Sequence, residues 1–521
     1  MSYRAEYSHS IESPETFWEE KSELIHWFKK PKQVLSTDSN GIHRWFADGE
    51  LNTAYLALDY HVENGRAEQD AIIFDSPVTG VKRRYTYQEL RDEVAKFAGV
   101  LKEQGVEKGD RVVIYMPMVP EALIAMLAVA RLGAIHSVVF GGFAPKELAV
   151  RIDDAEPKVV VTASCGIEIN RVIEYKPMLD EAIELSAFKP ERCIVLQRPQ
   201  CTASMEIGRD LDWQQAMAAA KPAGCVAVKG TDPLYILYTS GTTGKPKGVV
   251  RDNGGHAVAL KYSMKAIYNM EPGEVFWAAS DVGWVVGHSY IVYAPLLAGC
   301  TTVVYEGKPI KTPDAGAFWR VCDEYKVKAL FAAPTAFRAI RKEDPDSDLL
   351  APYDLSALEA VFMAGERLDP PTYEWTSQTL GKPVIDHWWQ TETGWAICGN
   401  LTGIERMAPK AGSSTVPIPG FNVQILGAQG EELPAGSQGI IALKQPLPPS
   451  CLPTIWGDHE RFRTGYLSEF PGYYSTGDGG YKDEDGYVFV MGRTDDVINV
   501  AGHRLSTGEM EEVVASHPAV A

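Results

Sequence analysis

At 521 residues the chain is longer than one hydrophobic core usually serves, and roughly two to four structural units are expected. With 45% hydrophobic and 23% charged residues it has the composition of a soluble globular protein. Its formal net charge of −19 argues against nucleic acid as a partner, since that binding rests on Lys and Arg neutralising phosphates. An anionic substrate therefore needs a locally basic pocket on an acidic molecule.

The N-terminal stretch "MSYRAEYSHSIESPETFWEEK" carries several acids and lacks an apolar core, so neither a secretory signal nor a transit peptide is expected. On this ground a cytoplasmic location is expected, with the mitochondrial matrix left open. The 8 cysteines are scattered without a Cys-x-x-Cys pair, which points to reduced thiols with no zinc site and no disulfide framework. The runs "RVVIYMP" at 111, "AIHSVVF" at 134, "KVVVTA" at 158 and "RCIVLQ" at 192 read as strands, with helix-length segments such as "EALIAMLAVARLG" between the early ones. That apolar stretch contains Arg131 and breaks at Gly133, so it reads as a buried helix and not as a membrane span.

Strand-like runs resume with "LYILYTSG", "TTVVYEG", "VKALFAAPT", "LEAVFMAGE" and "PVIDHWWQTE". Alternation of strand and helix predicts an α/β fold with two doubly wound, mostly parallel sheets over roughly residues 60–400. From about residue 415, "GFNVQILGAQGEELPAGSQGIIAL" and "GGYKDEDGYVFVMGR" are short strands joined by Gly- and Asp-rich turns, predicting an antiparallel barrel or sheet. The last segment opens on a capping-box pattern, Ser506/Thr507 with Glu509, ahead of an amphipathic helix. No internal repeat or low-complexity tract is present, and nothing specifies an oligomeric state.

The stretch "YTSGTTGKPKG" (238–248) is the most chemically loaded. It lacks the spacing of a Walker A loop, because only Thr242 and Thr243 separate Gly241 from Gly244, and Pro246 follows Lys245. Gly241, Gly244 and Gly248 nevertheless permit an anion-binding nest of backbone N–H groups. Ser240, Thr242 and Thr243 add hydroxyls, and Lys245 and Lys247 add charge.

This stretch resembles the phosphate loop of the adenylate-forming enzymes, the acyl-CoA synthetase superfamily. Matching motifs follow in the family's order: "WWQTETG" (388–394), "STGDGGYKDEDGY" and "GRTDDVINVAGHRLS". "HSVVFGGF", "GWVVGHSYIVYAPLLAG" and "APTAFRAIR" resemble the short-chain members. "VVRDNGGHAVAL", "VYEGKP" and "PLPPSCLPTIWGD" look most like propionate–CoA ligases. The resemblance implies a large N-terminal domain over 1–494, with a small β-barrel-like subdomain at 415–494. A hinge and the start of a small α+β C-terminal lobe would occupy 495–521.

The implied chemistry is activation of a carboxylate by ATP as an acyl-AMP, with loss of pyrophosphate, then thioester formation with coenzyme A. The resemblance implies that the 240–248 loop holds the β- and γ-phosphates. It gives catalytic parts to Lys245, Thr391 at the α-phosphate, Glu392 at Mg²⁺ and Arg504 near the phosphates. Asp478 would accept from both ribose hydroxyls, as an ionised carboxylate can, with Arg493 at the ribose. Gly365, Glu366, Asp386, Trp388 and Gln390 fall where the family packs adenine and the α-phosphate. Phe140, Gly141, Gly142, Arg171 and Ala333, joined by Ala501 and Gly502, match CoA contacts, and Asp495 matches the hinge. Taken singly, Asp478 also fits a turn residue, Arg504 a surface ion pair and Arg171 a solvated helix charge. One departure stands out: Glu168 occupies a place where acetate-activating relatives usually carry arginine, which puts the CoA phosphate contact there in doubt.

The implied acyl pocket comprises Trp284, Val285, Val286, Ala364 and Trp389. Acetate-activating relatives usually have Thr at the Val286 position and Val at the Ala364 position. A longer, more apolar pocket capped by Trp389 follows, which fits propionate and not a long fatty acid. Since a single methylene decides only about 1–3 kcal/mol, acetate is expected to leak through, and an acetate enzyme of broad short-chain specificity remains the alternative. The lysine-bearing part of the family's C-terminal lobe is not found before Ala521, so little overall activity, or a non-catalytic acyl-AMP-binding protein, is also expected of this chain. A peptide-synthetase adenylation module fits poorly, because "GWVVGHSY" offers no acidic anchor for an amine.

Overall fold

The computed structural model describes residues 2–239, 246–495, 498–500 and 503–505, with Met510 and Val514, and for 498–500 and 503–505 the backbone alone. Ser240, Gly241, Thr242, Thr243, Gly244 and Lys245 of the phosphate loop lie outside the described residues. So do Ala501, Gly502, the Arg504 side chain and the capping box from residue 506.

Two seven-stranded sheets carry the chain from Asp70 to Asp386. The first has the order Asp210–Asp212, Arg192–Leu196, Val159–Ala163, Arg111–Tyr115, Ile135–Val138, Pro233–Thr239, Lys247–Asp252. The second runs Val384–Asp386, Ala360–Met363, Val327–Ala332, Val275–Ala279, Thr301–Tyr305, Asp70–Ser76, Val81–Thr86. Pairing is parallel throughout except at one edge of each sheet, where Lys247–Asp252 and Val81–Thr86 return antiparallel. Continuous burial of Val159–Ala163 and Thr301–Tyr305 shows why these runs lack polar alternation: helices cover both faces.

The covering helices follow local rules. Tyr87–Glu103 opens on a capping box in which Thr86 and Glu89 each accept from the other's backbone N–H. Pro120–Arg131 starts with Pro at its first position and is buried over nearly its whole length. Arg131, the charge in that apolar helix, is itself buried and bidentate on Asp59, at 2.6 and 3.1 Å. No described helix is long and apolar enough to cross a membrane.

Beyond the sheets, Asn422–Leu426, Gly439–Lys444, Tyr473–Lys482 and Val488–Arg493 form a four-stranded antiparallel sheet in that order. The third and fourth strands place Asp478 directly opposite Arg493. Ile498–Val500 and His503–Leu505 form a separate two-stranded ladder that pairs Asn499 with Arg504.

Most of the motif residues of the two large sheets share one topological position. Phe140–Gly142 follow the strand ending at Val138, Trp284 follows the one ending at Ala279, and Ala333 follows Ala332 directly. Ala364 and Gly365 follow Met363, and Trp388 follows Asp386 by two residues. In open α/β sheets ligands bind outside the carboxyl ends of the strands, where N–H groups and loop side chains converge.

Candidate active site

Asp478 is buried on its strand, not exposed on a turn. Gln390 Nε2 donates to its Oδ2 at 2.6 Å and to the Thr476 carbonyl at 2.7 Å, while Tyr474 Oη donates to Gln390 Oε1 at 3.0 Å. The Gln390 amide is therefore committed to holding the carboxylate. Burial pushes the Asp478 carboxyl up to about 6, against the pull of Arg493 and the Gln390 hydrogen bond. Arg493 lies across the backbone of Gly477, whose φ is +72° and where a Cβ would stand 2.8 Å from a guanidinium nitrogen. Only glycine meets both conditions there. Arg493 Nε also donates to Asp495 at 3.2 Å, joining the arginine expected at the ribose to the expected hinge residue.

Thr391 and Glu392 form one wall of the same region. Tyr466 Oη donates to Glu392 Oε1 at 2.6 Å and accepts from Lys247 Nζ at 2.7 Å, placing Lys247 itself 3.7 Å from the carboxylate. Tyr466 stacks on Tyr474 with ring centroids 5.3 Å apart, so the supports of Glu392 and of Gln390 are packed face to face. Burial and the neighbouring Glu392 hold the Tyr466 phenol well above its usual range, which keeps it a donor. Behind the wall, Arg251 donates to the backbone carbonyls of both Thr391 and Glu392.

Gly365 has φ +104°, and the space a Cβ would occupy there is open, as a cradle for a flat ring requires. The Glu366 carboxylate instead accepts from Thr335 N–H at 2.7 Å and pairs with Arg338 at 2.7 Å, closing the start of the Pro334–Glu343 helix. Asp386 ends its strand with its carboxyl pushed up to about 8 by desolvation. Trp388 bridges to Cys398 through the backbone. Ala364 is buried, while Val285, Val286, Trp388 and Trp389 pack half-buried on the main core. Trp389 meets Tyr290 edge-on at 5.6 Å and Phe331 at 6.1 Å, which fixes the ring expected to cap the acyl pocket.

Phe140, Gly141, Gly142, Arg171, Trp284 and Ala333 line a single cavity of about 980 Å³. The Phe140 and Trp284 rings lie 5.3 Å apart, linking this cavity to the acyl residues. A side chain at Gly141 would collide with Tyr175, and one at Gly142 would come within 2.6 Å of the Phe140 ring. Arg171 stands on a hairpin strand and not on a helix, and its donor to Glu168 is 3.0 Å away. Lys308 approaches the same carboxylate at 3.5 Å, so Glu168 is clasped by two cations at the rim.

Among the described residues no cluster of three or more metal-ligating side chains occurs. A lone carboxylate at Glu392 suits Mg²⁺, which binds through one or two protein carboxylates plus substrate phosphates and water. Four supporting residues escaped sequence reasoning: Tyr466, Tyr474, Arg251 and Lys308. The tyrosines and Lys308 carry no local signal, because their partners lie far away in the chain. Arg251 alone offered one, as a charge in the apolar run "GVVRD".

Comparison with known proteins places this geometry in a class. Residues 60–449 match the AMP-binding enzyme family and residues 3–57 match the acetyl-coenzyme A synthetase N-terminus. The chain belongs to the AMP-binding enzyme family. More narrowly, it is 52% identical to the human mitochondrial acyl-CoA synthetase short-chain family member 3, over all of this chain and 76% of that protein. It is 47% identical to the propionate–CoA ligase of Escherichia coli (strain K12), over all of this chain and 83% of that protein. The acetoacetyl-CoA synthetase of Streptomyces lividans shares the fold with a TM-score of 0.89 at 25% identity, over 98% of this chain and 78% of that one.

Proposed function

We propose that the chain is an acid–thiol ligase that activates a short-chain carboxylate with ATP and passes the acyl group to coenzyme A, with propionate preferred. The carboxylate oxygen attacks the α-phosphate, pyrophosphate leaves, and the thiol then displaces AMP from the acyl-AMP. The observation that carries this reading is convergence. Asp478 with its Gln390 support is joined to the Thr391–Glu392 wall through the stacked Tyr474 and Tyr466 rings, and Trp284 of the acyl residues lines the 980 Å³ cavity together with Phe140, Gly141, Gly142 and Ala333.

In this reading Asp478 accepts from the ribose hydroxyls, and Arg493 guards the same sugar. Thr391 and Lys247, with the 240–245 loop and Arg504, meet the phosphates. Bound Mg²⁺ would be held by Glu392 and would neutralise charge as pyrophosphate departs. Adenine rests on the open face of Gly365, within the ring of Asp386 and Trp388. The thiol enters through the cavity lined by Phe140, Gly141, Gly142 and Ala333. Propionate is selected by Val286 and Ala364 under Trp389. The relatives matched over 76% and 83% of their own length are named as a synthetase and a ligase, and the expectation of little overall activity is not carried forward.

ATP–pyrophosphate exchange and thioester formation by residues 1–521 test the proposal, with acetate, propionate and butyrate compared at equal concentration. Propionate should lead in catalytic efficiency, and Ala364→Val should shift the propionate-to-acetate ratio toward acetate by about 10-fold, the scale of one methylene. Exchange with none of the acids would refute the reading, and parity of acetate with propionate would refute the preference.

A further inference from the structure

Among the described residues, the buried cations Arg131, Arg151, Lys176 and Arg198 each pair with a carboxylate, and Arg251, which the proposed chemistry also leaves unused, meets neutral acceptors instead. Arg251 is among the largest side chains with no exposure at all. It stands on Lys247–Asp252, the edge strand that leaves the phosphate loop. A guanidinium is always charged and offers five donors, and burial of a charge is costly unless it is paired and hydrogen-bonded. Here Nη1 donates to the Glu392 carbonyl at 2.9 Å and to the Ser450 carbonyl, Nη2 to the Thr391 carbonyl, and Nε to Tyr235 Oη at 3.1 Å. All four partners are neutral acceptors, and two belong to the pair of residues set to face the phosphates.

The turn is also shaped against this group. Gly394 closes the 390–394 turn with φ +76°, and a Cβ there would stand 2.7 Å from Arg251 Cζ. The turn therefore wraps on the guanidinium as on a template. The same strand reaches the Glu392 side chain from its other end, through Lys247 and Tyr466. One edge strand thus grips the backbone of Glu392 with Arg251 and its carboxylate with Lys247.

We propose that Arg251 is a positioning residue for the adenylation half-reaction: by holding the carbonyls of Thr391 and Glu392 inward it keeps their side chains aimed at the phosphates and at Mg²⁺. This rests on the function proposed above. The role weighs most on the first half-reaction, because pyrophosphate and the metal at Glu392 are gone when the thiol attacks and only the Thr391 contact with the α-phosphate remains. A purely structural staple would depress both halves together.

The test compares ATP–pyrophosphate exchange with thioester formation from supplied propionyl-AMP and CoA, for the parent and for Arg251→Lys. Lysine keeps the charge but loses the planar five-donor fork that reaches four acceptors around the guanidinium. Exchange kcat should fall about 100-fold, the scale of a small misplacement of catalytic groups, with a higher half-saturating Mg²⁺ concentration. KM for propionate should stay at the parent value, and the propionyl-AMP reaction should fall at least about 10-fold less than exchange. Gly394→Ala, which keeps Arg251 and pushes the turn off it, should show the same split and serves if Arg251→Lys does not fold. Parallel loss of both half-reactions, or unchanged exchange, would overturn the inference. A parent protein that uses propionyl-AMP but not ATP and propionate would sink it separately, whereas a parent inert in both assays refutes the proposed function itself.

Discussion

At the scale of single residues, the site is a set of side chains whose chemistry is set by their neighbours. Asp478 is the clearest case. Its carboxyl, pushed up to about 6 by burial, is an acceptor for two hydroxyls only when ionised. AMP affinity should therefore hold above pH 6 and weaken by up to about tenfold per unit below it, as read by calorimetric titration between pH 5 and 8. Asp478→Asn should bind AMP weakly with a flat profile, and a flat profile for the parent would remove Asp478 from the ribose. Stability runs the opposite way with pH. A folded pKa above the unfolded value near 3.9 gives a contribution that is full below about pH 4 and lost as pH rises through about 6. Thr391, Glu392, Asp478 and Arg493 were legible because their motifs are local. Tyr466 and Tyr474 were not, since a tyrosine becomes a support only when its hydroxyl meets a distant partner.

At the scale of elements, the strand and helix runs between residues 111 and 386 appear where hydrophobic patterning placed them. Parallel strands buried on both faces read as unbroken apolar runs, so their signal survives without context. Patterning could not say which charge inside an apolar run matters, or why. Arg131 ends a helix that is buried almost throughout, and its guanidinium meets Asp59 at 2.6 and 3.1 Å. Arg131→Met should cost about 3–5 kcal/mol, since it strands a buried carboxylate, and the Asp59→Leu/Arg131→Met pair should regain much of that loss in urea unfolding. A single variant as stable as the parent would show that Asp59 finds water instead. Arg251 differs, because no carboxylate answers it and the turn carbonyls do.

At the scale of the whole molecule, two seven-stranded sheets and a four-stranded one bring together residues from Phe140 to Arg493. A ligand that touches all three should stabilise the assembly as a unit. A non-hydrolysable propionyl-AMP analogue at 100 times its Kd should add about 2.7 kcal/mol, visible as a rise in the thermal midpoint that exceeds the rise with the acetyl analogue. No rise with either would mean that the described surface does not form a nucleotide site.

The sequence by itself determined the α/β class, nine of the fourteen strands of the two large sheets and the family, because these follow from period, turn chemistry and contiguous motifs, and it passed over Asp70–Ser76, Val81–Thr86, Asp210–Asp212, Lys247–Asp252 and Val275–Ala279. It also marked Glu168 as out of place. Only the tertiary structure decided that Glu168 is held by Arg171 and Lys308, that Gln390 serves Asp478, and that Lys247, Tyr466 and Arg251 converge on Glu392. The reason is physical: a hydrogen bond acts over about 3 Å, and which residues come that close is settled by the packing of sheets whose strands lie far apart in the chain.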